Sequence, residues 1–119
     1  MSDYFDIEGE SISLEKWMEL FANTDYRRIA LNRWYDKDKR LTISTVWLGL
    51  AHGYGPSGPF IFESLVLDDE GKEVAMYRYS TKEQAQAHHD ILVGIESHDS
   101  KPTSRFLKVV KEAFNDSTE

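Results

Sequence analysis

The hydrophobic residues of this chain change period along its length. Leu14, Trp17, Met18 and Phe21 recur at i, i+3, i+4 and i+7, which is one stripe of an amphipathic helix. Ser13 stands where an N-cap belongs, Glu15 suits the positive end of the helix dipole, and Asn23-Thr24-Asp25 ends the run. Upstream, "YFDIEGESIS" predicts a short extended piece turning at Gly9. From residue 27 the spacing shortens. "RRIALNRWY" (27–35) alternates loosely, and "RLTISTVWLGL" (40–50), "FIFESLVL" (60–67) and "KEVAMYRYS" (72–80) are rich in β-branched and aromatic residues. These four runs predict strands. "DKDK" and "DDEG" are turns, and "HGYGPSGP" (52–59) is a loop, because its glycines and prolines interrupt any regular element. The order predicts an antiparallel meander.

The two middle strands are apolar at nearly every position. A sheet open to water on one side alternates more cleanly, so helices or another subunit are expected over parts of both faces. "STKEQAQAHHDILVGIE" (80–96) opens with Ser80 and Glu83 at capping-box spacing and predicts a helix. Its buried stripe is read as Ala85, His88, Ile91, Leu92 and Ile95. After the loop "ESHDSKP", "TSRFLKVVKEAF" predicts a last amphipathic helix with Phe106, Val109, Val110, Ala113 and Phe114 inward, and "NDSTE" is expected to fray. The predicted class is α+β: one domain over residues 1–119, a four-stranded antiparallel meander sheet with one helix before it and two after.

Composition narrows the function classes. A chain of 119 residues buries roughly two thirds of its surface without a staple. It has no cysteine, which removes disulfides and thiolate metal sites and fits a reducing compartment. No apolar run reaches the ~20 residues that span a bilayer, and the acidic start "MSDYFDIEGE" is unlike a signal peptide. A soluble, cytoplasmic protein without membrane attachment is expected. Twenty-one acidic against fourteen basic residues give a net charge of −7. That argues against nucleic acid as ligand and favours basic partners. The charge is uneven, with Arg27, Arg28, Arg33, Lys37, Lys39 and Arg40 clustered in one stretch.

Several residues are candidates for chemistry. Glu63 lies inside a strand, where carboxylates need a partner. If the last hairpin turns through Glu70 and Gly71, with Asp69 facing Lys72, Glu63 falls opposite Arg78 on the same face. A bidentate pair would satisfy both groups, and a structural ion pair is weighed above a catalytic carboxylate. His52 follows a strand end, a common place for a ligand or general base, or simply for a ring bonded to backbone. His88 and His89 are adjacent on one helix and point about 100° apart, so they do not chelate together. Periodicity puts His88 mid-stripe and His89 at its edge. His52, Glu63 and His89 together suit zinc or iron chemically but show no ligand spacing, so no cofactor is expected. "GYGPSG" lacks the ending of a phosphate loop, and there is no Gly-x-Ser-x-Gly elbow. Trp17 and Trp47 fit the core. Trp34, Tyr35 and Arg33, with Tyr54, form a candidate binding set, since aromatics among basic residues stack on planar ligands.

"EGESIS" followed by Trp17, "DYRRIA", "STVWLGLAHGYG", "PFIFES" and "RYSTKEQAQAHH" together make the chain resemble a small uncharacterised protein family of actinobacteria, tailed phages and prophages. The resemblance covers about residues 4–95. It places His52, Glu63, Arg78 and His89 within matched motifs and points to His89, rather than His88, as the matching helical histidine. The family's acidic residue before the first histidine is Ala51 here, and its glycine before the second is His88. Any catalytic or metal role of that acid would be lost in this chain. The resemblance implies a phage-like context and no particular reaction. Size, charge and context together lead to the expectation of a non-enzymatic accessory protein that binds a host protein or protein complex stoichiometrically, for example to inhibit a defence or nucleic-acid-processing complex. The alternatives are a small-molecule or metal-binding protein or hydrolase built on His52, Glu63, Arg78 and His89, and a homodimeric structural module.

Overall fold

The computed structural model describes residues 3–36 and 39–98, with backbone alone for 34–36, 39 and 95–98. Its elements are α1 (Leu14–Phe21), α2 (Thr24–Arg27), β1 (Arg28–Asp36), β2 (Lys39–Trp47), β3 (Tyr54–Gly55), β4 (Gly58–Pro59), β5 (Phe62–Leu67), β6 (Glu73–Tyr79) and α3 (Lys82–His98). Strands β1, β2, β5 and β6 form one antiparallel sheet in that order, the expected meander. The α+β class holds. The predicted helix at 103–114 lies outside the described residues. No described helix is long and apolar enough to cross a membrane.

Alternation divides the sheet into two unlike faces. Leu41, Ile43, Thr45 and Trp47 of β2 point the same way as Phe62, Ser64 and Val66 of β5, and all are buried. Helix α3 lies across this face, touching all four strands. The opposite face carries Val46, Leu65, Met76 and the Glu63–Arg78 pair, half-buried for the most part. The expectation that both faces are covered is met for one face only among the described residues: α1, α2, α3 and the N-terminal segment all gather on the first face or at its Trp47 end.

Trp47 anchors that end. Its side chain is fully buried, its indole N–H donates to the Phe5 carbonyl at 3.1 Å, and Tyr26 meets its ring edge-on at 5.0 Å. Trp17 stacks on Phe21 and donates its indole N–H to the Leu48 carbonyl at 2.9 Å. Both indoles thus bury a large apolar area while their polar atom stays satisfied. Gly49 passes between them with φ +72, and a Cβ there would fall 2.7 Å from the Trp17 ring.

Four local expectations are corrected. Ser13 caps α1 as predicted, accepting from Lys16 N–H at 3.1 Å, but the helix turns Trp17, Leu20 and Phe21 inward, each half-buried, while Leu14 and Met18 stand 44% and 57% exposed. The inward face is therefore rotated from the predicted stripe, because Leu20 and Phe21 together meet Trp47. At α3 the capping box is displaced by one residue. Thr81 Oγ1 accepts from Gln84 N–H at 3.1 Å, and Gln84 Oε1 accepts from Thr81 N–H at 3.2 Å. Ser80 instead donates its hydroxyl to the Gly58 carbonyl at 2.9 Å, which ties the loop to the helix. The α3 stripe is Ala85, His89 and Leu92, and Ile91 is 57% exposed. Finally, the 52–59 loop contains a small hairpin, with Tyr54 opposite Pro59 and Gly55 opposite Gly58.

The hairpin between β5 and β6 reaches the predicted register by another route. Asp68, not Asp69, faces Lys72: its N–H donates to the Lys72 carbonyl at 2.9 Å, and its carboxylate accepts from the Glu70 and Lys72 N–H groups. The aspartate stabilises the turn through its own backbone, and Gly71 supplies the positive φ. Leu67 then pairs with Glu73 but Val66 with Ala75, so Val74 is an extra, bulged residue. The bulge restores the register, and Glu63 sits opposite Arg78.

Candidate functional site

The four polar candidates His52, Glu63, Arg78 and His89 do not come together. Glu63 and Arg78 meet on the open face through one bond, Arg78 Nε to a Glu63 carboxylate oxygen at 3.2 Å, rather than the bidentate fork expected. Arg78 keeps 34% of its side chain exposed and Glu63 13%. His89 lies on the other face, under α3 and 1% exposed. His52 is exposed, its N–H donating to the Phe60 carbonyl at 3.0 Å as the chain enters the small hairpin. Among the described residues no group of three His, Asp or Glu side chains is arranged to hold a metal ion. Of the candidate binding set, Tyr54 is 60% exposed on the hairpin, and Arg33 is exposed on β1. Trp34 and Tyr35 lie on β1 opposite Leu41 and Arg40, and their side chains fall outside the described residues.

A different set converges instead. Thr45, Ser64 and His89 are all buried among apolar neighbours. Thr45 and Ser64 are cross-strand partners, and their hydroxyls meet at 2.5 Å. His89 Nδ1 reaches Thr45 Oγ1 at 2.7 Å, and its Nε2 reaches Asn32 Oδ1 at 2.7 Å. Tyr79 donates its hydroxyl to Ser64 Oγ at 3.1 Å and is in turn in hydrogen-bond contact with His88 Nδ1.

Donor arithmetic gives this chain a direction. The Asn32 amide oxygen only accepts, so His89 carries its proton on Nε2 and leaves Nδ1 bare. Thr45 must then donate to His89, Ser64 to Thr45, and Tyr79 to Ser64. His88 Nδ1–H supplies the Tyr79 oxygen. Each of the three hydroxyls donates once and accepts once, and nothing in the row is left unpaired. Burial of such groups is tolerable only on that condition.

Electrostatics agree with two neutral imidazoles. Burial holds the His88 pKa below the usual histidine value, and the neighbouring His89 adds to the effect. Burial also lowers His89, opposed by Asp90. Tyr79 is raised by burial, and Tyr77, whose ring meets His88 edge-on at 4.6 Å, is pushed up to about 12 by the same cause. Both phenols stay protonated, and Tyr79 acts as a donor.

Asn32, Thr45, Ser64 and Tyr79 escaped the reading of the sequence. A signal was present. On the inward phase, Thr45 and Ser64 are small polar residues among large apolar ones. The register that puts Trp47 against Phe62 puts them opposite each other. What the arrangement does is lock α3 to three strands by hydrogen bonds that tolerate one geometry only.

The second feature is a surface. Residues 1–25 carry seven acidic side chains (Asp3, Asp6, Glu8, Glu10, Glu15, Glu19, Asp25) and one base, Lys16, a net of −6 from a total of −7. The other 94 residues hold fourteen acids against thirteen bases, a net of −1. All of these N-terminal acids except Asp6 are exposed, and Leu14 and Met18 project from the same layer. Asp6 accepts from the Glu8 and Glu10 N–H groups at 2.9 Å each, fixing the turn that carries its neighbours. Set against known proteins, the chain matches no family model, no curated protein and no solved structure.

Proposed function

We propose that this protein is a non-enzymatic, phage-like accessory protein that binds a basic host protein stoichiometrically through α1 and the N-terminal layer. The observation that carries the reading is the ridge of Leu14 and Met18, exposed at i and i+4 on a helix whose surroundings hold nearly all of the net charge. An apolar pair within a charged rim is the anatomy of a binding hot spot, and the rim's sign selects a cationic partner. Such a partner is a protein of defence or nucleic-acid processing, whose phosphate-binding groove an acidic surface can occupy. Burying the half of each side chain that remains exposed contributes about 1 kcal/mol each, while the carboxylates govern encounter rate and salt sensitivity.

The test compares captured partners. Immobilised wild-type protein and a Leu14→Asp, Met18→Asp variant are exposed to host lysate. A retained basic protein is then purified and titrated against both by calorimetry. A 1:1 complex weakened by salt and at least about 30-fold weaker for the variant is expected. Equal affinity for both proteins, or a complex indifferent to salt, overturns the proposal.

A further inference from the structure

Strand β6 stands at the edge of the sheet. It pairs with β5, and among the described residues no strand lies along its other side. The Ile61 N–H donates to the Tyr79 carbonyl at 3.0 Å, so Tyr79 turns its main chain toward the sheet. In an antiparallel ladder the N–H and C=O of one residue point the same way, and successive residues alternate. Tyr77 therefore faces β5 as well, while Met76 and Arg78 present theirs to the outer edge. The strand holds neither proline nor lysine, and its bulge at Val74 leaves residues 75–79 in unbroken register. We propose that this edge binds an extended segment of a partner polypeptide as a fifth strand, with an apolar side chain of that segment seated beside α3.

The seat is a groove of about 430 Å³ between β6, α3 and the small hairpin. His89 reaches β1 through Asn32, and His88 reaches β6 through Tyr79. The α3 stripe of Gln84, Ala87, His88 and Ile91 thus overhangs the β6 side of the sheet. Phe60 forms the other wall, its ring so close to the hairpin that a Cβ at Gly55 would fall 2.7 Å from it. Arg78 borders the groove, yet its side chain turns to the opposite face to bond Glu63, so what it brings here is main chain. The Tyr79 hydroxyl is spent on Ser64 and His88, and Ile91 stands 57% exposed at the rim. Such a seat takes an apolar side chain and offers nothing to a charged one.

Main-chain geometry and charge select the occupant. An added strand supplies donors and acceptors to Met76 and Arg78 together and places alternate side chains on alternate faces. A residue opposite Tyr79 points into the groove, and one opposite Arg78 points to the open face. At the end where β6 begins, Asp69, Glu70 and Glu73 are exposed against one base, Lys72. An antiparallel segment that fits therefore carries an aromatic or leucine side chain opposite Tyr79 and basic residues toward its C-terminal end. This surface is separate from the ridge on α1 and does not depend on it.

The test titrates the full chain with the peptide acetyl-Thr-Phe-Thr-Val-Thr-Lys-Lys-amide, its phenylalanine meant for Tyr79 and its lysines for the Glu73 end. Amide NMR and hydrogen exchange give the readout. Saturable shifts are expected at the Met76 and Arg78 amides, with a dissociation constant of about 1 mM or below. These two amides should exchange freely without peptide and be slowed at least about 10-fold at saturation. Serine in place of the peptide's phenylalanine, N-methylation of its residue opposite Arg78, or glutamates in place of its lysines should each weaken binding about 10-fold. Ile91→Glu, at an exposed helix position that a folded chain accommodates, should do the same while the ring resonance of His89 stays unchanged. No saturation up to about 5 mM, equal affinity of the N-methylated peptide, or unchanged affinity in the Ile91→Glu protein overturns the proposal. So does protection of Met76 and Arg78 without peptide: if it rises with protein concentration the edge belongs to a second copy, and if it does not, to another part of this chain.

Discussion

Replacing Thr45 by valine keeps the shape of the side chain and removes only its hydroxyl. In the chain described above, two buried groups then lose a partner: Ser64 its acceptor and His89 Nδ1 its donor. Each buried unsatisfied group costs about 1–3 kcal/mol, and part is recovered if Ser64 turns toward Tyr79, so Thr45→Val should destabilise by about 3 kcal/mol. No cavity adds to this, since valine fills the same space. Urea unfolding reads the effect. With m of about 1–1.5 kcal/mol/M for a chain this size, the midpoint falls by about 2–3 M at constant m. The sharper test is non-additivity. His89→Leu alone leaves the Thr45 hydroxyl without its acceptor, but in the Thr45→Val, His89→Leu double variant both sides of that bond are apolar. The double should cost less than the sum of the singles by about 1–2 kcal/mol. A Thr45→Val cost below about 0.5 kcal/mol, or strict additivity, would refute the one-way chain of hydrogen bonds.

Three further outcomes follow from the same geometry. His88 and His89 both have folded pKa values below the unfolded value, so the unfolded chain binds more protons as pH falls. Stability should be fully present above pH ~6.5 and decline below it, by up to about 1.4 kcal/mol per pH unit for each proton taken up. Urea midpoints between pH 7.5 and 5.5 measure this, and His89→Leu should flatten the slope. Glu63→Gln should cost no more than about 1 kcal/mol by thermal melt, since the pair is single-bonded and its arginine is one-third exposed. Thr81→Ala should remove about 1 kcal/mol through the lost cap of α3, whereas Glu83→Ala, at the position first expected to complete the box, should be nearly silent.

The sheet was legible because its cues are local and strong: β-branched runs, turn residues between them, and one carboxylate that demanded an arginine. The Glu63–Arg78 pairing follows even though two details of the hairpin differ, because the Val74 bulge compensates for the turn at Asp68. Helix faces were less legible. Periodicity gives a stripe about 100° wide but not which edge of it turns inward, and that choice was made by Trp47 for α1 and by Thr45 for α3. Hence Leu14, Met18 and Ile91 came out exposed, and His89 took the buried place assigned to His88. The hydrogen-bonded row was hidden for a different reason: its members lie far apart in sequence, His89 falling 57 residues after Asn32.

Gly49 ties two distant parts of this molecule to one atom's absence. The indoles on either side leave no room for a methyl group, and the backbone there is left-handed. A mutation to alanine would therefore drive a methyl group into the Trp47 ring first and the Trp17 ring next, loosening the seat of the first helix together with the buried end of the sheet. The acidic layer thus hangs on a single bare backbone position wedged between two indoles, and drift at position 49 would unseat that layer and the Trp47 core together.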